Sequence, residues 1–155
     1  GMQVNFAGMD ICTKDGPSIS PQTFRRVVLP ALRTLVDACH RCGVRYVYSS
    51  DGNFWPIAED MFDAAGVDAW MEVDQSAGMD LRELRRRFPR VAFVGNIAVQ
   101  TLHRASRDEV IRETMSCLEA AHELGGIVVG VSNMIMPGTP PENIHAMLET
   151  IARNR

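Results

Sequence analysis

Residues 44–53 read Val44-Arg45-Tyr46-Val47-Tyr48-Ser49-Ser50-Asp51-Gly52-Asn53 (VRYVYSSDGN), and this stretch decides the fold class. Its first half is an apolar, β-branched run that is typical of a strand. The Asp-Gly pair that follows is a common hairpin turn between two strands. Residues 54–65, however, have helical rather than alternating periodicity. The stretch therefore predicts a strand that leads through a polar loop into a helix, as in a parallel α/β sheet.

The same order of strand, loop and helix recurs along the chain. Apolar segments suited to strands lie at residues 4–7, 44–48, 69–73, 91–94 and 127–131. The helical segments begin at residues whose side chains suit an N-cap, namely Ser20, Asp80, Ser106 and Thr139. Pro30 lies inside the first long helical segment and predicts a kink or a division into two short helices. No low-complexity linker divides the chain, so we expect a single domain over residues 2–155 with about five parallel strands and alternating helices.

Composition narrows the classes of function. The 155 residues carry a net charge of −3, which argues against nonspecific nucleic-acid binding. No apolar run approaches the roughly 20 residues that span a bilayer, and the N-terminal sequence does not resemble a secretion signal. We therefore expect a cytoplasmic protein that binds neither nucleic acid nor membrane, with its four cysteines reduced.

Polar side chains follow each of the five predicted strands. Parallel α/β folds place their sites at the carboxyl ends of the strands, so these side chains are candidates for one shared pocket. The alternative is that they are polar only because loops are exposed. We assign Asp51 as the catalytic residue, acting as polar anchor or proton-handling group. The other candidates are assigned to substrate binding: Asp10, Ser49, Asn53, Asp74, Asn96 and Asn133.

Three further motifs are interpreted as structural. Cys39-His40-Arg41-Cys42 is a C-x-x-C pair at a helix C-terminus, where the helix dipole opposes the thiolate that redox chemistry needs. The arginine-rich residues 82–90 suit a solvated helix end. The three histidines in predicted helices lie away from the strand ends, and no phosphate-binding glycine loop follows a strand. The sequence accordingly predicts no metal and no cofactor.

Several short segments, taken in their order along the chain, together resemble one protein family. They are DGPSISP at residues 15–21, VLP at 28–30, SDGN at 50–53, AGMDL at 77–81, VGNI at 94–97 and MPGTPPEN at 136–143. In this order and spacing they are similar to the C-terminal half of the uroporphyrinogen decarboxylase superfamily, which also contains corrinoid-dependent methyltransferases. The resemblance covers nearly the whole chain. It implies a partial (β/α)8 barrel of the TIM type.

The resemblance implies two chemistries. One branch of the superfamily removes acetate carboxyl groups from a cyclic tetrapyrrole without a cofactor, and the arginines and aspartate that hold its substrate come from the N-terminal half. The methyltransferase branch uses zinc bound by His-x-Cys and a later Cys, and the matching positions here are Ser49, Asp51 and Asn133. Because zinc prefers thiolate and imidazole ligands, these residues favour a pocket without metal.

We therefore expect a uroporphyrinogen-decarboxylase-like protein that binds, and in its complete form decarboxylates, a tetrapyrrole or related carboxylated small molecule. The alternatives are a corrinoid methyltransferase relative without the usual zinc ligands, and a non-catalytic truncated-barrel module for binding or assembly. A complete barrel takes about 250 residues, and five strands cannot close one. We thus predict a homodimer whose sheets complete each other, or a fragment of a longer protein, ahead of a monomer with an open sheet.

Overall fold

The computed structural model describes residues 1–155 and contains one five-stranded parallel sheet with strand order β1-β4-β5-β6-β7. A separate antiparallel hairpin is formed by β2 and β3. The prediction of five parallel strands in a partial barrel is confirmed. The strands are β1 (Val4–Gly8), β2 (Cys12–Thr13), β3 (Gly16–Pro17), β4 (Arg45–Ser49), β5 (Ala69–Met71), β6 (Ala92–Val94) and β7 (Ile127–Val128).

Helices alternate with the strands of the sheet. The α-helices are α1 (Pro21–Thr23), α2 (Leu29–Arg41), α3 (Leu81–Arg87), α4 (Val99–Arg104), α5 (Arg107–Leu124) and α6 (Pro141–Asn154). Short 3-10 turns lie at Trp55–Ile57 and Gln75–Ala77, and π-helical turns at Phe24–Val28 and Asp60–Ala64. The π turn before α2 is the irregularity predicted from Pro30, since the helical path from Pro21 is not a single α-helix. None of the helices combines the length and apolar character needed to cross a membrane.

One face of the sheet carries the aromatic core. Tyr48, Trp70 and Phe93 lie side by side on neighbouring strands, and all three are buried. Phe62 packs on this row, with its ring centroid 5.5 Å from that of Trp70 and 5.7 Å from that of Phe93. Helices α2, α3 and α5 contact strands β4, β6 and β7. We call this side of the sheet the covered face.

The opposite side of the sheet lacks such a layer, and we call it the bare face. Because successive strand residues point to opposite faces, it is formed by the residues that alternate with the aromatic row. Phe6 and Val128 on this face are 56% and 57% exposed. In a closed barrel this face is the interior, which is filled by side chains. Its larger apolar members are Val4, Phe6, Val47, Met71, Val94 and Val128.

Most of the predicted helix caps are confirmed. The side chains of Ser20 and Asp80 accept hydrogen bonds from the backbone N–H three residues on, and Ser106 forms a complete capping box with Glu109. The prediction for Thr139 is wrong, because Pro140 occupies the N-cap of α6. The Thr139 hydroxyl is instead 3.0 Å from Nδ1 of His103 on α4. A tertiary hydrogen bond thus replaces the local one.

The arginine-rich residues 82–90 are paired within the chain, which confirms their interpretation as a helix end. Arg82 and Arg86 both bind Glu123 on α5. Arg87 binds Glu59, and the Arg85 guanidinium donates to backbone carbonyls that follow α3 and α5. These ion pairs and hydrogen bonds therefore connect α3 to α5 and to the segment that contains Glu59.

Candidate functional site

Three carboxylates from neighbouring strands meet at the carboxyl end of the sheet. Asp10 follows β1, Asp51 follows β4 and Glu72 follows β5, and one oxygen from each lies within 4.8 Å of the others. We call these three residues the acidic cluster. Asp10 is exposed, whereas Asp51 and Glu72 are half-buried. The predicted convergence of strand ends therefore brings together Asp10 and Asp51, and adds a residue that the sequence did not single out.

Glu72 reaches the cluster because β5 is shorter than predicted. The strand was expected over residues 69–73, but it ends at Met71, and Glu72 has a φ of +76°. No other non-glycine residue has a positive φ, and such a backbone costs on the order of 1 kcal/mol or more. Had the strand continued, alternation would place the Glu72 carboxylate beside Trp70 in the aromatic core. Burying an unpaired charge there is unfavourable, so the sequence did contain a signal that the strand must end.

Hydrogen bonds fix the orientation of Glu72 and Asp51. Ser49 Oγ donates to Glu72 Oε1 at 2.8 Å. Asn133 Nδ2 donates to Asp51 Oδ2 at 3.1 Å and to Glu72 Oε2 at 3.4 Å. The structure thus brings the predicted residues Ser49 and Asn133 to the same place as Asp51 and Asp10.

The pKa of Glu72 is raised above its ordinary value. Burial is the main cause, the hydrogen bond from Ser49 partly opposes it, and the negative charges of Asp51 and Asp10 raise the pKa further. A raised pKa favours the protonated carboxyl. Glu72 therefore holds a proton more readily than an ordinary glutamate does.

The contact between Asn133 and Asp51 shows how the site is closed on one side. Asn133 follows β7, and β7 lies three strand spacings from β4, a separation of roughly 14 Å in a flat sheet. The side chains nevertheless lie 3.1 Å apart. The chain after β7 therefore folds inward over the strand ends toward β4.

The Asp51-Gly52 pair is a βα loop, as predicted, and not a hairpin turn. Gly52 has a φ of +93°, and a Cβ at this position would lie 2.8 Å from the Thr13 carbonyl oxygen. The Asn53 N–H donates to that same oxygen at 2.8 Å, which ties the loop to the β2–β3 hairpin. Close backbone packing beneath the loop thus requires glycine next to Asp51.

A pocket of about 340 Å³ adjoins the acidic cluster. Its walls are polar around Asp51 and Asn133 and apolar around Val99 and Met136. No arginine, lysine or histidine lines it. The full lining is Asp51, Asp74, Val99, Gln100, Ser132, Asn133, Met134, Met136 and Pro137.

The remaining predicted site residues form hydrogen bonds outside the acidic cluster, and the buried Asn96 Oδ1 has no hydrogen-bond partner. Asp74 lines the pocket, but its carboxylate also caps the Gln75–Ala77 turn, accepting from the N–H and hydroxyl of Ser76. Asn53 accepts from the Trp55 N–H at 3.0 Å. Asn96 is completely buried, and its side-chain amide donates to the Val128 carbonyl at 3.4 Å. The structure does not bring Asn53 and Asn96 into the acidic cluster.

The positions that the resemblance relates to zinc do converge. Ser49 and Asn133 donate to Glu72, and Asn133 also donates to Asp51. The groups that these three residues could offer to a metal are a hydroxyl, an amide and a carboxylate, whereas zinc sites that activate thiols use thiolate and imidazole. The residues present therefore do not fit the zinc site of the methyltransferase branch.

The chain is similar in sequence to proteins of one known family. The family described as Uroporphyrinogen decarboxylase (URO-D) matches residues 8–154. A protein of Streptomyces coelicolor named Uroporphyrinogen decarboxylase is 30% identical over 137 residues, which are 86% of this chain and 36% of that protein. A protein of the same name from Anaeromyxobacter sp. (strain Fw109-5) is 28% identical over 125 residues, which are 79% of this chain and 34% of that protein.

The parallel sheet, the covering helices and the polar strand ends define an α/β protein of the partial-barrel class. The chain belongs to the uroporphyrinogen decarboxylase (URO-D) family. It spans about a third of the length of the curated relatives that it matches.

Proposed function

We propose that this chain forms the acidic part of a uroporphyrinogen-decarboxylase-like site, which binds a tetrapyrrole or a related carboxylated small molecule. The observation that carries the proposal is the meeting of Asp10, Asp51 and Glu72 at the carboxyl ends of three adjacent strands. Carboxylates accept hydrogen bonds from N–H groups, and these bonds are stronger than those between neutral partners. Pyrrole N–H groups are suitable donors for such a cluster.

The cluster also suits the charge that develops during decarboxylation. Loss of carbon dioxide from an acetate side chain is favoured when the attached pyrrole carries a proton, since the breaking C–C bond then donates its electrons into a cationic ring. A carboxylate held beside that ring stabilises the cation. We assign this role to Asp51, oriented by Asn133.

Glu72 is assigned to proton transfer. The pKa of its carboxyl is raised by burial and by the neighbouring acids, so it can hold a proton closer to neutral pH than an ordinary glutamate. When carbon dioxide leaves, the electrons of the broken C–C bond form a double bond between the exocyclic carbon and the ring. The proton that the ring carried is released to solvent, and the exocyclic carbon becomes a methyl group by accepting a second proton. Glu72 is the residue placed to supply it.

The substrate's own carboxylates need a different environment. No cationic side chain lines the pocket beside the acidic cluster, and like charges there would repel a polycarboxylate. The N–H edge of the ligand must therefore face the cluster, with its carboxylates directed away from it. The resemblance assigns the carboxylate-binding arginines to the N-terminal half of the family barrel.

Titration with uroporphyrinogen, followed by analysis of the products, tests this proposal. Asp51→Asn and Glu72→Gln keep the shape of each side chain but remove its charge. Since a hydrogen bond to a charged group contributes about 1.5–3 kcal/mol, Asp51→Asn should weaken binding about tenfold or more. Asp37→Asn, which changes an exposed aspartate on α2, is the matched control and should bind as the wild type does.

Glu72→Gln separates the two roles. If Glu72 transfers the proton, this variant should retain binding within a few-fold and lose formation of decarboxylated products. Wild-type protein that binds no tetrapyrrole, or an Asp51→Asn variant that binds as well as Asp37→Asn, would contradict the proposal.

A second candidate is a methyltransferase relative that acts without the usual zinc ligands. It is favoured only by the convergence of Ser49, Asp51 and Asn133, the positions that the resemblance relates to the metal. A methyl-transfer assay with methylcobalamin, together with metal analysis of the purified protein, distinguishes it. Methyl transfer by the wild type would favour this candidate over the decarboxylase-like one.

A further inference from the structure

The pocket of about 340 Å³ beside Asp51 contains hydrogen-bonding groups that the folded chain does not use. It lies at the carboxyl ends of the strands, between α4 and the segment that follows β7. Asp51 accepts from Asn133 only at Oδ2. Asp74 accepts from the N–H and hydroxyl of Ser76 only at Oδ1. Each of these two aspartates therefore keeps one carboxylate oxygen that no group of the chain binds.

Ser132 provides a third unused group. Its side chain lines the pocket and is only 6% exposed. The Ser132 backbone N–H donates to the Ile97 carbonyl at 2.7 Å, whereas its hydroxyl forms no hydrogen bond within the chain. The hydroxyl is not sealed inside the protein, since the sealed side-chain polar atom without a partner is Asn96 Oδ1. The remaining exposure of Ser132 is therefore toward the pocket, and buried hydroxyls of this kind normally have a partner.

The charge around the pocket selects the kind of partner. No cationic side chain lines it, and Asp10 and Glu72 add their carboxylates to that of Asp51 on one side. The negative charges of Asp51 and Asp10 help to raise the pKa of Glu72, as expected where no cation of the chain neutralises them. The pocket therefore attracts a cation and repels an anion.

The apolar part of the wall distinguishes an organic cation from a metal ion. Val99, which is buried, lines the pocket together with Met136 and Pro137. A hard metal ion is surrounded by oxygen ligands and gains nothing from such a surface. An aliphatic chain gains free energy by leaving water for it. The volume lies at the lower end of the range for ligand pockets, so the ligand is small.

We propose that this pocket binds a small primary ammonium ion carried on an aliphatic chain. An ammonium group has three N–H donors and no acceptor. The unused oxygens of Asp51, Asp74 and Ser132 are three acceptors, and the two carboxylates make charge-assisted hydrogen bonds. The aliphatic chain lies against Val99 and Met136. Such a ligand is distinct from the tetrapyrrole of the proposed function, although both contact Asp51.

Titration of the whole chain with n-hexylammonium, hexan-1-ol and hexanoate, followed by isothermal calorimetry, tests this proposal, because the three probes differ only in the head group. Hexylammonium should bind in a saturable manner, at least tenfold more tightly than hexanol, and less tightly as salt is added. Hexanoate should not bind. Absence of saturable binding by hexylammonium, or binding of either other probe with equal affinity, would overturn the proposal.

Two variants locate the site. Asp74→Asn keeps a side chain that can cap the Gln75–Ala77 turn but removes the charge, so hexylammonium should bind about tenfold more weakly. Ser132→Ala removes a hydroxyl that has no partner in the chain, so it should weaken binding several-fold and leave the melting temperature unchanged. Asp37→Asn, on the exposed side of α2, is the matched control and should bind as the wild type does.

Ser132→Ala also serves in case Asp74→Asn does not fold. Folded variants that bind hexylammonium as tightly as Asp37→Asn would place the ammonium ion elsewhere and overturn the proposal. No tetrapyrrole enters these measurements. Ammonium binding without tetrapyrrole binding would contradict the proposed function alone, and tetrapyrrole binding without ammonium binding would contradict the ammonium site alone.

Discussion

The covered face and the bare face of one sheet differ in what the chain places on them. Trp70 and Met71 are adjacent in β5, yet Trp70 is completely buried against aromatic rings and Met71 is only half-buried. Aromatic rings on three neighbouring strands fill the helix-covered side, while the other side carries mainly aliphatic and methionine side chains together with Phe6. The difference teaches that both faces are apolar but that this chain supplies only one of the two layers which the sheet needs.

Removing Trp70 should cause the largest loss of stability. Trp70→Ala creates a cavity among Phe54, Phe62 and Phe93 and removes the hydrogen bond from Trp70 Nε1 to the Ser50 carbonyl, so about 3–5 kcal/mol should be lost. Met71→Ala on the bare face should cost about 1 kcal/mol. Urea unfolding followed by circular dichroism measures both. Equal losses would contradict the distinction between the faces.

Replacing Asp68, which directly precedes β5, should cause the next largest loss of stability. Burial alone would raise its pKa, but hydrogen bonds from the Tyr46 N–H, Arg45 and His40 outweigh burial and lower it. Because the pKa is lowered on folding, the stabilisation is present above the unfolded pKa of about 3.9 and is lost as pH falls through the folded pKa.

Asp68→Asn should therefore lose about 2 kcal/mol of unfolding free energy at neutral pH, from the loss of charge-assisted hydrogen bonds. The difference from wild type should shrink as the pH is lowered below 4. Unfolding in urea at neutral and acidic pH measures this change. A difference between variant and wild type that does not depend on pH would show that the Asp68 charge is not what stabilises this end of the sheet.

The contribution of Glu72 to stability should depend on pH in the opposite direction to that of Asp68. Its pKa is raised on folding, so its contribution to stability is fully present below the unfolded pKa of about 4.3 and is lost as pH rises through the folded pKa. Glu72→Gln removes the charge and should be more stable than wild type at neutral pH but not at pH 4. Solvent screening of the half-exposed cluster limits the gain to below about 1 kcal/mol. Thermal unfolding at the two pH values compares the proteins, and a variant equally destabilised at both would contradict the raised pKa.

The smallest change in stability is expected for Arg87, which lies on neither face of the sheet. Arg87 forms an exposed ion pair with Glu59 at 2.8 Å, and such pairs contribute between zero and about 1 kcal/mol. Arg87→Ala should therefore change the unfolding free energy by less than about 1 kcal/mol, with the difference decreasing further in high salt. A larger loss that persists in salt would point to packing of the Arg87 side chain on Trp55 instead.

Much of the fold could be predicted from the sequence because local signals agreed with the tertiary structure. Apolar runs and capping residues both indicated one order of strands and helices. The failures occurred where tertiary contacts prevailed over local ones. Thr139 has the right spacing for an N-cap, but its hydroxyl contacts His103 on another helix. Residues 129–131 continue an apolar run, yet β7 ends at Val128 and only an isolated bridge, between Val131 and Ile97, follows.

The candidate site was predictable in part for a related reason. Strand ends meet in any parallel sheet, so Asp10 and Asp51 could be expected near each other. Glu72 was missed because the apolar run was interpreted as a strand through residue 73, although the alternation that would bury its carboxylate beside Trp70 indicated an earlier end; the positive φ of Glu72 provides that end. The contact of Asn133 with Asp51 depends on how the chain after β7 folds over the strand ends, which no local pattern encodes.

Hydrogen–deuterium exchange of the β1 amides, measured in dilute protein, tests most directly whether this chain covers only one face of its sheet and leaves an edge open. Strand β1 carries the free edge and Phe6 of the bare face, and β4 beside it is an internal reference. The account predicts that the β1 amides exchange faster than those of β4, because β1 has a neighbouring strand on one side only. Equal protection of the two strands at the lowest concentration would contradict it.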